Sequence, residues 1–279
     1  MIRRPRSLPS TARRLGLVAA LATVAVACGG TPPSAPALVD PREILSAAAT
    51  HAASARSVHV DVTADGQLAL DLLGTGVTSA PISLADTTAS LDADLSRGAT
   101  RATFSAPGIL GIRGEAIVVD GVSYVKTSLT GPLYQAQGQG AVLASPSPAP
   151  GASGNVTAGI MDGVIAFLRE PGVEPIKNPD AACGGSTCYS VSLDVGADRL
   201  GPLLGGAGSS ASLPIPLPDL SGATARLTFL VERDPTRLAS LDVVADLGDT
   251  GNVVADLTFS KWDEAVTISA PSPDQVRPG

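Results

Sequence analysis

The sequence contains few residues of the types that build catalytic or metal centres. Its 279 residues include two histidines, three cysteines and one tryptophan. Neither His51 nor His59 has a recognisable nucleophile and acid beside it, and the sequence has no Gly-x-Ser-x-Gly motif. The Gly-Thr-Gly at 74–76 lacks the strand, loop and helix of a nucleotide site. We therefore expect no enzyme, no catalytic residue and no cofactor, with a hydrolase as the weaker alternative.

Aromatic residues and positive charges are also scarce. Aromatic residues make up 3 % of the chain and hydrophobic residues 44 %, so any core or cavity should be aliphatic. Lysines and arginines number 19 against 26 acidic residues, and the net charge is −7. Nucleic-acid binding needs a basic surface that neutralises phosphates, so this balance argues against a nucleic-acid partner.

The only long apolar run lies at the N-terminus. Arginines precede an apolar stretch over 15–27, which is shorter than the roughly 20 residues of a membrane span and is typical of a secretory signal peptide. The following Ala-Val-Ala-Cys resembles a bacterial lipobox, although Ala25 stands where leucine is usual. We predict a signal peptide over 1–27 and lipidation, with acyl chains such as palmitate, at Cys28. The alternative is a plain secretory peptide in which Cys28 is incidental.

The signal predicts an exported protein held on the outer face of the cell membrane. Residues 28–39 are rich in proline, glycine and small side chains, which is typical of a flexible tether that can extend to roughly 35 to 40 Å. We expect one domain over 40–271 and a C-terminal tail over 272–279.

The two remaining cysteines fit an exported chain. Cys183 and Cys188 enclose a Gly-Gly-Ser-Thr stretch that can fold back on itself, so an oxidising compartment favours a disulfide between them. A zinc half-site is the competing interpretation, but zinc needs further ligands and the two histidines are distant in sequence. We predict the disulfide and no metal site.

Hydrophobic periodicity predicts one helix followed by many strands. Asp40 and Pro41 suit a helix start, and the apolar residues after them recur every three or four positions. From residue 57 the period is two, with His59, Asp92 and Asp94 on the solvent side of strands. Asp-Gly pairs predict hairpin turns at 65–66 and 120–121.

The second half of the chain repeats this pattern. We expect a loop over 135–155, a helical segment over 156–170, and a strand carrying Tyr189 and Val191. A meander follows from residue 223, with residues 265–271 as a closing strand. The predicted class is α+β, an antiparallel sheet with helices covering one face.

Several stretches resemble the LppX/LprA/LprF/LprG family of actinobacterial lipoproteins, whose fold is similar to that of the LolA and LolB carriers. They are the lipobox at Cys28, "ARSVHVDVT", "AIVVDGVSYVK" and "ADLTFSKWDEAVTISAP". The resemblance implies a strongly bent antiparallel sheet, or half-barrel, with helices over its concave face and an apolar cavity between. The insertion over 143–154 and the "CGGSTC" loop depart from the family pattern and affect the expected cavity mouth.

The resemblance also implies that the cavity accepts acyl chains of lipids or glycolipids, which the protein carries between the membrane and an acceptor. A membrane transporter is a further possible partner. The alternative function is an envelope lipoprotein that binds a sensor or transporter and has no lipid cargo. Lys261 and Trp262 fit a structural plug better than a ligand clamp. The candidate cavity residues come from the alternating strand faces: Val60, Val62, Leu91, Leu95, Ala102, Phe104, Leu227 and Phe229.

Overall fold

The structure is a computed structural model that describes residues 37–69, 81–137, 167–170, 172–199 and 222–277. The predicted signal peptide, Cys28, most of the tether and most of the predicted loop over 135–155 lie outside these residues. Of the predicted helical segment over 156–170, the description covers 167–170, where Phe167 and Leu168 are helical. No helix of the described residues has the length and apolar character to cross a membrane.

Helix α1 (Pro41–Ser54) begins where the sequence predicts. The Asp40 side chain caps it by accepting a hydrogen bond from the Arg42 backbone N–H at 2.8 Å. The Arg42 guanidinium in turn donates to the backbone carbonyls of Leu168 and Val173, which fixes the first turn of the helix. Small and aliphatic side chains on one face of α1 pack against the sheet.

The rest of the described chain is an open, curled antiparallel sheet, which agrees with the predicted α+β half-barrel. Its strand order is β7-β6-β5-β4-β3-β1-β12-β11-β10-β9-β8, with the short β2 paired to β1. The strands are β1 (Ser57–Leu68), β2 (Ile82–Ser83), β3 (Thr87–Asp94), β4 (Ala99–Ala106), β5 (Ile112–Val119), β6 (Val122–Thr127), β7 (Gln135–Gln137), β8 (Ile176–Cys183), β9 (Ser186–Gly196), β10 (Thr224–Glu232), β11 (Leu238–Asp246) and β12 (Gly251–Ser260).

The strand register separates an apolar face from a polar one. Residues directly paired across antiparallel strands share a face, and Val60 pairs with both Leu91 and Phe259. We call this apolar side the inner face, because α1 packs on it. The opposite, outer face carries polar residues such as Asp61 and Thr258, which also pair with each other.

The main core lies between α1 and strands β9 to β11. Ile44 is fully buried, and it clusters with side chains that alternate along β9, namely Tyr189, Val191, Leu193 and Val195. A second cluster lies on the outer face of β4 to β6. There Ile117 and Tyr134 pack with Ile268 from the C-terminal segment. The helix and the C-terminal segment therefore cover different faces of the sheet.

The hairpin predicted at Asp65-Gly66 is wrong. Strand β1 continues through both residues, and Gly66 pairs with Val253 of β12. Gly66 has a φ of 120°, and a Cβ built on it would lie 2.2 Å from the Asn252 carbonyl oxygen. The glycine is therefore needed for close contact between two strands. The turn at Asp120-Gly121 forms as predicted, with φ of 52° and 75°.

The predicted closing strand over 265–271 is also wrong. After Trp262 the backbone leaves the sheet, and Val266 and Ile268 pack on the outer-face cluster without strand pairing. The chain returns to pair near its end, where Tyr134 and Val276 form an isolated parallel bridge. The apolar residues alternate in this segment because Val266 and Ile268 pack against the outer face of the sheet, although the segment is not one of its strands.

Strand β8 is an element that the sequence did not predict. It contains Pro179, and its pairing with β9 shifts register between Asn178 and Ala181, a β-bulge. Both features suit an edge strand and hide the usual strand pattern. The predicted disulfide between Cys183 and Cys188 is present and joins β8 to β9, with a Cα–Cα distance of 5.9 Å.

The sequence predicts that both acidic residues of β3 face solvent, and the structure differs from this prediction at Asp94. Asp92 is half-exposed on the outer face, but its carboxylate lies 2.6 Å from His59 Nδ1. The prediction of a solvent-facing Asp94 is wrong, because Asp94 is buried at the end of the strand. His59 lies on the outer face as expected, half-buried among Asp61, Asp92 and Ser90.

Candidate functional site

An apolar cavity of about 340 Å³ lies between α1 and the inner face of the sheet. Its walls come from the helix, from five strands, from the residues that follow β3 and β12, and from the helical turn at 167–168. The lining residues are Leu45, Ala48, Ala49, Ala52, Val58, Leu95, Phe167, Leu168, Leu193, Leu227, Phe229, Leu238, Leu241, Phe259 and Trp262.

Small side chains on α1 create the space. Ala48, Ala49 and Ala52 recur at helical spacing and face the sheet, where larger residues would fill the gap. The sheet side is built from longer aliphatic and aromatic side chains, such as Leu227 and Phe229 on β10. The cavity therefore exists because a helix with an alanine face packs over a sheet with large residues.

Trp262 closes one part of the wall. Its side chain is 9 % exposed, and its indole N–H donates to the Leu238 carbonyl at 3.1 Å, so its polar atom is satisfied by the protein. The ring stacks on Phe259 at 6.1 Å and meets the His51 ring edge-on at 5.7 Å. Trp262 thus has a hydrogen bond within the protein, which agrees with a structural plug, and it also lines the cavity.

Among the residues that the structure describes, none that lines the cavity carries a group for acid–base or nucleophilic chemistry. Every described lining residue is alanine, valine, leucine, phenylalanine or tryptophan. No cluster of metal-ligating side chains occurs among the residues that the structure describes. What such a cavity can do is hold an apolar molecule away from water. Since one water occupies about 30 Å³ of liquid, the space corresponds to roughly ten groups of that size, such as the methylenes of one acyl chain.

The structure places the eight predicted cavity residues on the same inner face. Leu95, Leu227 and Phe229 line the cavity. The other five lie along the same face towards β4, where Val60 is buried and the rest are half-buried: Val60, Val62, Leu91, Ala102 and Phe104. Three of the eight predicted residues therefore lie at this cavity, and contact of any of the eight with a lipid stays a prediction.

Sequence reasoning missed most of the lining residues. The alanines of α1 had a detectable signal, since the helix pattern already marked Ala48 and Ala52 as its apolar face. Leu241 and Phe259 also had one, because they alternate within strands that the sequence predicted. Leu238 had no such signal, because only its position opposite the end of β12 brings it to Trp262.

Comparisons with known proteins give similarity to solved structures only. No family model matches the chain, and no curated protein matches it. The chain is similar to LprF from Mycobacterium bovis at 21 % identity, covering 83 % of this chain and 96 % of that one with a TM-score of 0.47. It is similar to the lipoprotein LppX from Mycobacterium tuberculosis at 18 % identity, covering 82 % and 98 % with a TM-score of 0.47.

A more distant similarity is to a LolA superfamily protein from Nitrosomonas europaea, at 10 % identity, covering 86 % and 99 % with a TM-score of 0.27. LprF and LppX carry the names of the family that the sequence resembles. At these identities and TM-scores the similarity concerns the fold alone. The function proposed below is therefore argued from the cavity.

Proposed function

We propose that this chain is an exported lipoprotein, anchored through Cys28, whose domain binds acyl chains of lipids or glycolipids and carries them between the membrane and an acceptor. The observation that supports the proposal is the cavity beneath α1, whose described lining is entirely apolar. The lipobox-like sequence at Cys28 supplies the membrane anchor in this proposal.

The cavity suits an acyl chain energetically. Burial of each methylene contributes about 0.8 kcal/mol, so a chain of about ten methylenes provides a gross gain of about 8 kcal/mol. Ordering the chain and losing its free motion offset part of this gain. Binding of this kind needs no charged clamp, which agrees with the absence of charged residues from the described lining. The cavity size then limits how much of a lipid is enclosed.

The test fills the cavity from the helix. Ala52→Phe places a large ring in the space between α1 and the sheet, and we expect loss of the lipid that co-purifies with the domain. Thr50→Phe is the matched control, because Thr50 lies exposed on the same helix and does not line the cavity. Native mass spectrometry and lipid extraction of both variants give the readout, and circular dichroism checks that they fold.

The outcome separates the two functions considered. If the wild-type chain carries no bound or exchangeable acyl lipid, the carrier proposal is wrong and a protein-binding accessory becomes the better explanation. If Ala52→Phe fails to fold, Ala48→Leu fills the same space with a smaller group and serves as the second variant. Equal lipid content in the wild type and in a folded cavity-filling variant would place the lipid somewhere else.

A further inference from the structure

Two exposed leucines lie on neighbouring turns at one end of the sheet. Leu110, in the turn between β4 and β5, is 84 % exposed, and Leu129, in the turn between β6 and β7, is 64 % exposed. Strand β5 begins where β6 ends, and the Ser128 backbone N–H donates to the Arg113 carbonyl at 2.8 Å. The two turns are therefore hydrogen-bonded neighbours, and both leucines protrude from the same end of the sheet.

The backbone of the first turn makes its leucine unusual. Leu110 has a φ of 53°, in the left-handed region that glycine, asparagine and aspartate adopt much more readily. An exposed turn position with this geometry gains nothing for folding from a large aliphatic side chain. A leucine that is both strained and exposed is a candidate for a contact outside the chain.

Next to these leucines lies a groove with an excess of positive charge. It is open, has a volume of about 550 Å³, and is formed on the outer face by Thr103, Arg113, Gly114, Glu115, Lys126, Thr127, Ser128, Gly131 and Pro132. Arg113 is exposed and forms no ion pair with any described residue. Two cations, Arg101 and Lys126, share Glu115, at 2.6 and 3.2 Å. Arg101 lies outside the groove lining and pairs across the strands with Asp92, so the lining itself holds two cations, Arg113 and Lys126, against the carboxylate of Glu115.

Hydrogen bonds keep these charges fixed. Burial raises the pKa of Glu115, but hydrogen bonds from Tyr134, Arg101 and Lys126 outweigh it and hold that pKa below its ordinary value. The hydrogen bond to Tyr134 raises the pKa of Lys126, so the ammonium group stays charged. In a chain with a net charge of −7, this local positive excess is a distinct surface feature.

We propose that Leu110, Leu129, Arg113 and Lys126 form a membrane-docking surface, in which the leucines enter the interface of an anionic lipid bilayer and the two cations contact lipid phosphates. We call these four residues the tip surface. Isolated leucines on convex turns suit a fluid bilayer, which adapts to any shape, and the adjacent positive groove matches anionic headgroups.

The chain between the predicted anchor and the described domain is short. The residues between Cys28 and Ala37 extend to about 30 Å at most, so an anchor at Cys28 keeps the domain beside the membrane. The half-buried apolar residues of the inner face, from Leu91 to Phe104, lead from the cavity region towards the same end of the sheet. The inference adds a docking step to the proposed carrier and is tested separately from lipid loading.

The experiment measures whether the tip surface enters lipid. The full chain carries Pro132→Cys, an exposed position of the groove, and the thiol is labelled with a polarity-sensitive fluorophore. Vesicles contain phosphatidylcholine with or without phosphatidylglycerol. The control chain carries the label through Val244→Cys, which is 54 % exposed on the outer face of β11. The parent chain treated with the same reagent gives the background.

We expect a blue shift and protection from iodide quenching for the label at position 132 on vesicles with phosphatidylglycerol, and neither effect at position 244. On the same vesicles, adding Leu110→Ser and Leu129→Ser should abolish the shift, and Arg113→Gln should weaken it.

Equal iodide quenching at positions 132 and 244 on both vesicle types would overturn the proposal, and so would a shift that survives the double leucine replacement. Lipid extraction of the double variant should give the wild-type content of bound lipid. If wild type holds no lipid but the label still enters the bilayer, the carrier proposal fails and the tip surface stands.

Discussion

The carboxylate of Asp94 lies buried where β3 turns towards β4. It accepts hydrogen bonds from Ser96 Oγ at 2.6 Å, from the Arg97 backbone N–H at 3.1 Å and from Arg97 Nε at 2.6 Å. The Ser96 hydrogen bond is the largest cause of a lowered Asp94 pKa, and burial partly opposes it. The ionised form of Asp94 therefore stabilises the folded state. The next residue, Leu95, lines the cavity.

We predict that Asp94→Asn lowers the free energy of unfolding by about 1 to 3 kcal/mol at pH 7, because hydrogen bonds to a charged acceptor are lost. The folded-state pKa is depressed, so this contribution is present above the ordinary value of 3.8 and disappears as the pH falls through the lower folded value. Urea unfolding of both chains across this pH range measures the difference.

Asp120→Asn is the control, since Asp120 lies exposed in a turn whose backbone asparagine accepts, and it should change stability by less than about 0.5 kcal/mol. A stability gap for Asp94→Asn that stays constant well below pH 3.8 would show that lost packing, and not charge, explains it.

At the scale of elements, strands β1 and β12 approach each other through glycine. Gly66 faces the Asn252 carbonyl, and Gly251 faces the Gln67 carbonyl at 1.9 Å from an ideal Cβ. The two strands form the centre of the sheet, with β3 beyond one and β11 beyond the other. Their close contact therefore links the half of the sheet beneath α1 to the half that carries the tip surface.

We predict that Gly66→Ala lowers the free energy of unfolding by about 1 to 3 kcal/mol. The φ of 120° at this position is unfavourable for alanine, and the added Cβ would overlap the backbone of β12. Gly98→Ala is the comparison, as it has a φ of 64° but open space around it. Thermal unfolding of both variants should show the larger loss for Gly66. Equal losses would mean that backbone strain alone matters.

The same two strands show what the sequence predicts well and what it cannot. Period-two alternation located most strands, because apolar residues on one face are a local signal. The Asp65-Gly66 pair has the sequence of a hairpin turn, so the local pattern predicts a turn there. The glycine is instead required by the close contact with β12, which lies almost two hundred residues away in sequence. Strand β8 escaped prediction because its proline and bulge break that pattern.

At the scale of the whole molecule, the sequence predicted the class of site better than its place. Scarce aromatic residues and abundant aliphatic ones predicted an aliphatic cavity, but the described lining is apolar with four aromatic residues among its members, namely Phe167, Phe229, Phe259 and Trp262. The position of the cavity depends on how α1 crosses the sheet, which is a matter of tertiary packing. Among the predicted residues, Leu95, Leu227 and Phe229 lie in the lining, whereas Ala102, on the same face, lies outside it.

The compartment of the molecule gives one further prediction. Cys28→Ala should shift the protein from the membrane fraction to a soluble or unprocessed form, because it removes the residue expected to carry the acyl chains. Fractionation of cells that express either chain, followed by immunodetection, measures the shift. A Cys28→Ala chain that is cleaved and still fractionates wholly with membranes would contradict the lipid anchor.

The open sheet has a consequence for solubility at high local concentration. Strands with free edges invite edge-to-edge polymerisation, in which one copy adds its strand to the next. Strand β8 resists this, because Pro179 has no N–H to donate, the bulge at Asn178 twists the edge, and Lys177 and Asp180 place charges along it. At the opposite edge, the part of β7 that the structure describes spans three residues, which is short for a stable pairing. Copies at high local concentration should therefore remain separate molecules.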